Sequence, residues 1–501
     1  PNPPSSITTA ANSRFRRSER SLQYGFLFPM GKHPSTTLLL LGFFFLVQLP
    51  LVVQPIGGGH IWRQSDTAAV ARNLVLESFD PFHPRVDVRQ HLTGITGMEF
   101  PVYQSLVGAL YLVAPTSQDW PGRLISLLMA FGCLGYTVLL ARRLLDLPAK
   151  WVVCAMICLQ EFFLLSTRIM PETTALCFVL MGTWHCLRYR DSGRSSDLLL
   201  AWLGFTLGLL ARPYVGSWGL IILVEFLFTL RTNPKQSAIF LTLGVGSLVP
   251  FALWYFYWAP YLTKAYGLLN QKGGPLFYTG GSAEEIFNAL LSLQTWIMLA
   301  DALLYDYAHW LMAPFVFLGL HKLYKCSNWN RDQKVLLLGV PLLTIGSILL
   351  LTGDHFKPHT YYLIALIPAL AIAAATGLSA LEQRKPKAGR WLVGALPFLT
   401  VALLGYIYTE SAEDLERYGS VRAEVEKRVP PEELVVSDSG GSLGFSLHVI
   451  RRRGWGVASA QVEDSVFIAE AERFGARWVL PLQDGRFQLY SIDEWQQHLT
   501  P

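Results

Sequence analysis

The sequence predicts an α-helical polytopic membrane protein that ends in a small α/β domain. Three observations predict it. Of 501 residues only 15% are charged while 51% are apolar, against about 25% charged in a globular domain, and the mean hydropathy is +0.33. Apolar runs close to bilayer length recur from residue 36 to residue 408. Beyond residue 411 the pattern changes to short amphipathic and alternating segments. The net charge of +5 is mild, and most basic residues sit in short loops between apolar runs, which reports topology and argues against a nucleic-acid partner. The six cysteines lie in apolar runs or a basic loop, none beyond Cys326, so neither a disulfide framework nor a zinc site is expected.

The elements follow in order. Residues 1–35 are rich in Ser, Pro and Arg, with RFRRSER at 14–20, and predict a disordered basic segment. Met30 is the first methionine, and translation is expected to start there. Candidate spans then fall near 36–54, 102–118, 121–145, 150–169, 172–189, 197–211, 214–230, 237–258, 302–321, 335–352, 360–380 and 390–408. If all crossed, Arg142, Arg143 and Lys150 would face away from the basic N-terminus, as would later basic loops, against the positive-inside rule. Run 102–118 is short, contains Gln104 and Ser105 and closes in PTSQDWP, so it reads as a juxtamembrane helix. About eleven spans then form a domain over 36–410 in the inner membrane, with a cytoplasmic N-terminus, a first outer loop at 55–120 and an extracytoplasmic tail. In that tail, 411–501, ERYGSVRAEVEKRV is an amphipathic helix, ELVVSDS a strand, 461–474 a helix, and 476–482 and 486–491 strands.

With this topology the unusual polar residues gather on the outer side, where ionisable groups mark function. The first loop carries HIWRQSDTAAVARN at 60–73. Asp66 there is either an N-cap or a general base, and Arg63 and Arg72 beside it suit a phosphate. GMEFPVY supplies Glu99 and Tyr103 as cavity-lining residues. Glu172 follows Pro171 at a helix start, where negative charge also favours the macrodipole. Asp66, Glu99 and Glu172 are hard-oxygen ligands for a divalent cation, yet no D-x-D pair accompanies them, so the metal stays open. Arg212, in ARPY, is either a snorkelling side chain or a phosphate ligand. Lys357, His359, Tyr361 and Tyr362 combine a cation at a helix entry with rings that also suit an aromatic belt. Asp301, Tyr305 and His309 share one face at i, i+4, i+8, which is either cavity-lining or a local hydrogen-bonded face.

WRQSDTAAVARN at 62–73, GMEFPVYQ at 97–104, MPE at 170–172, the Lys-Pro-x-x-Tyr-Tyr segment at 357–362 and RRRGW at 451–455 carry a resemblance. The chain resembles the GT-C fold glycosyltransferases, specifically bacterial family 39 proteins related to protein O-mannosyltransferases and to the lipid A aminoarabinose transferase. The resemblance implies transfer of a sugar from a polyprenyl-phosphate donor to a glycan, lipid or protein hydroxyl at the outer membrane face. It implies Asp66 as general base, Glu172 as second-loop acid, and Lys357 with Arg212 at the carrier phosphate. Two departures concern acceptor and metal: Thr67 follows Asp66, and Phe100 stands where the aminoarabinose transferase has lysine. Direct displacement by a positioned alcohol inverts the anomeric centre. A flippase for lipid-linked sugars is the rival, but its polar groups would gather near the bilayer midplane. A scaffold would tolerate loss of Asp66.

Overall fold

The computed structural model describes residues 34–116, 118–266, 283–326, 328–352, 357–409, 421–440, 442 and 444–499. Among them five helices are long and apolar enough to cross a membrane: Ser35–Val52, Trp120–Leu145, Pro234–Tyr266, Arg331–Leu350 and His359–Arg384. A sixth is the pair Leu293–Tyr307 and His309–Tyr324, bent by 107°. Unbroken apolar helices therefore supply fewer spans than the eleven expected, and the local reasons are legible. Run 150–169 divides into Ala149–Ile157 and Gln160–Leu165, because Leu159 between them adopts an extended backbone. Run 172–189 is one helix, Glu172–Ser192, but it buries Glu172, Thr173, Thr174, Thr183 and His185, which lowers its hydropathy. Run 214–230 opens as a 3-10 turn, Pro213–Gly219, before Leu220–Thr229. The Val102–Val113 helix has 12 residues, about 18 Å at the helical rise, well short of a core of roughly 30 Å.

Close packing of the spans relies on small residues. A Cβ on Gly319 would stand 1.7 Å from the carbonyl oxygen of Ala373, and one on Gly377 would stand 2.2 Å from that of Phe315. Helices His309–Tyr324 and His359–Arg384 thus meet backbone to backbone, as small residues permit in membranes. The helices also have two distinct ends. At one, Arg190 reaches Glu225 and Asp332 at 2.7 Å, Arg331 reaches the same Glu225 at 2.7 Å, and Lys150 reaches Glu382 at 2.5 Å. At the other end of the helices bearing Arg190 and Glu382 stand Glu172 and His359.

Residues 434–491 form a four-stranded sheet. Its centre is β1, Leu434–Asp438, flanked in parallel by β2, Arg453–Val457, and by β3, Ala476–Leu480; the edge pair Tyr490–Ser491 runs antiparallel to β3. Alternation divides its side chains between two cores, as the period of two requires. Val436, Trp455, Val479, Ile468 and Trp495 pack among themselves. Val435, Phe445, Leu447 and Leu480 pack instead on Ile56, Ala68, Ala71, Tyr103 and Ile169 of the helical part. The first loop also joins the sheet: the amides of Arg89 and Gln90 donate to the Gly454 carbonyl at 3.0 and 2.8 Å, and the Gly454 amide donates to Asp87 at 3.2 Å.

Candidate active site

The Ile61–Leu76 helix presents the first-loop residues. At about 100° per residue, Arg63, Asp66 and Asn73 fall on one side, whereas Arg72, six residues beyond Asp66, falls on another. From that helix a chain of four alternating charges runs inward. Arg63 pairs with Glu99, Arg212 lies 3.8 Å from the other Glu99 oxygen, and Arg212 reaches Glu172 at 2.6 Å. Gln104 donates to Glu99 at 3.3 Å. All four charged groups are buried, Glu172 at 1% exposure, and two cations balance two anions, as burial demands. Burial pushes the Glu99 carboxyl upward, but Arg63 and Arg212 outweigh it and hold the group below the usual carboxylate range.

The chain is charge-balanced yet not hydrogen-bond saturated. Arg63 Nε, Gln104 Oε1, Arg212 Nε and Nη2, and both Glu172 oxygens are buried without an aligned hydrogen-bond partner. The 2.6 Å contact of Arg212 with Glu172 is an ion pair lacking hydrogen-bond alignment. Buried polar atoms are normally satisfied, so this concentration leaves three arginine N–H donors and three acceptors, the Gln104 oxygen and the two Glu172 oxygens, for a polar ligand. Aromatic rings wall the chain: Tyr361 lies 5.9 Å from Arg212, crosses Tyr362 at 4.8 Å and receives the edge of His60 at 4.8 Å, and Tyr362 stacks on Tyr214 at 4.2 Å. The Tyr361 hydroxyl meets His359 Nδ1 at 3.1 Å, and Trp62 lies 6.1 Å from the His359 ring. Burial, then the charge of Arg168 and His359, lowers His60 to about 3, so His60 is a neutral ring in a left-handed backbone position that precedes the helix.

Asp66 stands at the mouth of this chain. Among the described residues no hydrogen bond engages its carboxylate. Burial raises it to about 7, with Arg63 opposing and Asp87 and Glu99 adding to the rise.

Residues 101–257 match the family model described as dolichyl-phosphate-mannose-protein mannosyltransferase. ArnT from Cupriavidus metallidurans in the apo state superposes with a TM-score of 0.56 at 14% identity, covering 83% of this chain and 84% of that one. The same enzyme bound to undecaprenyl phosphate gives 0.56 at 15% identity, covering 90% and 91%. The chain shares the GT-C fold of these structures. No curated protein matches its sequence.

In this GT-C fold the structure gathers Arg63, Glu99, Glu172, Arg212, His359, Tyr361 and Tyr362 around one site, with Asp66 at its edge. Other expected site residues stand elsewhere. Arg72 pairs with Asp87 and meets His448 Nδ1 at 3.2 Å, so its charge ties the first loop to the tail. Tyr103 does not line a cavity: it is fully buried, and its hydroxyl donates to Gly122 at 2.7 Å in contact with Ser126 at 3.0 Å. Asp301 is exposed, and the 107° bend separates its helix from that of His309, while the Tyr305 and His309 rings stay 6.0 Å apart. His309 instead lines a separate small cavity with Cys158, Gln160 and Leu404. Lys357 opens the 3-10 turn Lys357–Leu366, but its side chain lies outside those described. Among the described residues no three His, Cys, Asp or Glu side chains are grouped to hold a metal, since Glu99 and Glu172 are each engaged by arginine. Sequence reasoning missed His60, Tyr214, Arg168 and His448. His60 and Tyr214 lie in the segments HIWRQSDTAAVARN and ARPY with no spacing that singles them out, and nothing in the sequence links Arg168 to His60 or His448 to residues some hundreds of positions earlier.

Proposed function

We propose that this glycosyltransferase transfers a sugar from a polyprenyl-phosphate donor to a hydroxyl acceptor at the extracytoplasmic face, with inversion and with Asp66 as general base. The observation that carries the reading is the unbonded Asp66 carboxylate beside a buried Arg63–Glu99–Arg212–Glu172 chain with unused donors. A protein of the same fold is bound to undecaprenyl phosphate, the class of ligand such donors would hold. Arg63 and Arg212 meet the phosphate and stabilise the charge that grows on it as the sugar leaves. The acceptor oxygen bonds the anomeric carbon from the opposite side, the bond to phosphate oxygen breaks with its electron pair on phosphate, and Asp66 takes the hydroxyl proton. Lys357, at the entry of the late span, adds a cation to the same anion. Glu172 fixes Arg212. Eleven crossings in the inner membrane, with a cytoplasmic N-terminus, put the site and the tail outside.

The test is transfer from a panel of radiolabelled polyprenyl-phosphate sugars to membrane fractions, with Asp66→Asn in parallel. Loss of product while undecaprenyl phosphate still binds supports the reading. Donor translocated without product, unchanged in the mutant, replaces it with the flippase.

A further inference from the structure

Residue 444 is where the tail meets Asp66. Gly444 has φ 82° and precedes the short helix Phe445–Ile450. A Cβ there would stand 2.9 Å from Asp66 Oδ1 and 3.2 Å from Val88 Cγ2. Bare backbone therefore lies against the carboxylate: a methyl group would displace Asp66 Oδ1, and the positive φ disfavours any side chain at this position. Two clamps hold the cover down. His448, four residues on and 3% exposed, bridges Arg72 through Nδ1 and Asp119 through Nε2, each at 3.2 Å. On the other flank Gly454 exchanges backbone hydrogen bonds with Asp87, Arg89 and Gln90. Asp66 keeps partial exposure, so one approach stays open beside the cover.

We propose that the C-terminal segment is the water-excluding cover of the transfer site, with Gly444 and His448 as positioning residues that decide which hydroxyl reaches Asp66. The inference rests on Asp66 being the base. A sugar held through phosphate is an activated electrophile, and water beside a base attacks it as an alcohol does. The water oxygen would bond the anomeric carbon, the bond to phosphate oxygen would break with its electron pair on phosphate, and the proton would pass to Asp66. The products are free sugar and polyprenyl phosphate, a wasted donor. Closing a site against water suppresses this class of side reaction.

The test uses the full-length protein in lipid nanodiscs, the radiolabelled donor panel, and undecaprenyl phosphate binding as a check on the site. His448→Ala frees the cover, and free-sugar release relative to transfer is expected to rise about tenfold while undecaprenyl phosphate still binds. His448→Gln, which keeps one donor and one acceptor, is expected to restore the wild-type ratio. Gly444→Ala crowds Asp66, and both transfer and release are expected to fall together. An unchanged release-to-transfer ratio in His448→Ala that binds undecaprenyl phosphate overturns the cover, and so does wild-type transfer in Gly444→Ala. If His448→Ala does not fold, Gly444→Ala alone decides. Retained transfer in Asp66→Asn overturns the base assignment instead, so the two failures are told apart.

Discussion

Asp66 shows what a single residue contributes when its surroundings compete. Burial raises its carboxyl to about 7 against the pull of Arg63, which suits the proposed base, since a general base works best with a pKa near the operating pH. Two expectations follow from the sign of that shift. Transfer should rise with pH through about 7 as the carboxylate forms, a profile that initial rates between pH 5 and 9 measure, and Asp66→Asn should lower transfer about 10²- to 10⁴-fold. Stability should move the other way. A folded-state pKa above the unfolded one favours the fold fully below the unfolded value of about 4, and that contribution is lost as pH rises through about 7. Asp66→Asn should therefore melt higher than wild type at pH 8 and similarly near pH 4; a lower melting temperature at pH 8 would contradict it. Asp66 stands out in the sequence because acid, arginine and loop position coincide in one short segment, and its role as base is part of the proposal. Arg72 was misjudged because adjacency in sequence was taken for adjacency in space, while six residues of helix place it about 120° around the axis from Asp66.

The elements explain why the charged chain assembles. Each member comes from a different piece: Arg63 from the first-loop helix, Glu99 from the loop before Val102–Val113, Glu172 from a helix start, and Arg212 from the extended residue ending Ser195–Ala211. Sequence reading found all four but not their pairing, since no local period joins segments so far apart. Arg212→Lys keeps the charge but loses the planar fork, and undecaprenyl phosphate binding, followed by calorimetry, should weaken by about tenfold. Arg212→Ala leaves Glu172 buried and unpaired, and should cost about 3–5 kcal/mol in a denaturation experiment. The bend between Leu293–Tyr307 and His309–Tyr324 escaped the sequence for another reason. Hydropathy averages over a window and does not register a left-handed residue such as His309 at φ 51°. That one residue turns the chain sharply while the Tyr305 and His309 rings remain 6.0 Å apart.

At the scale of the whole molecule, separated charge clusters divide the helices into two ends, one holding the Arg190, Glu225, Arg331 and Asp332 cluster and the other the site. The proposed orientation is testable through Cys326, which is exposed while the other five cysteines are buried. A membrane-impermeant maleimide should label it in inverted vesicles and not in intact cells, and Glu470→Cys in the tail should behave oppositely; the reverse pattern would invert the topology. Composition and apolar runs made the membrane class plain, because lipid imposes them along the chain. The docking of tail on loop was invisible, because complementary surfaces leave no periodic trace. That docking has a consequence for how the molecule is made. Arg72 and His448 are 376 positions apart, and the strand that receives the first loop is synthesised after the whole helical part. The loop around the base therefore waits, without its final partners, while all the spans are inserted, and long-range pairings of this kind form slowly. Nascent or truncated chains should be inert toward donor until the tail has crossed and docked, so that the activity switches on only in finished molecules.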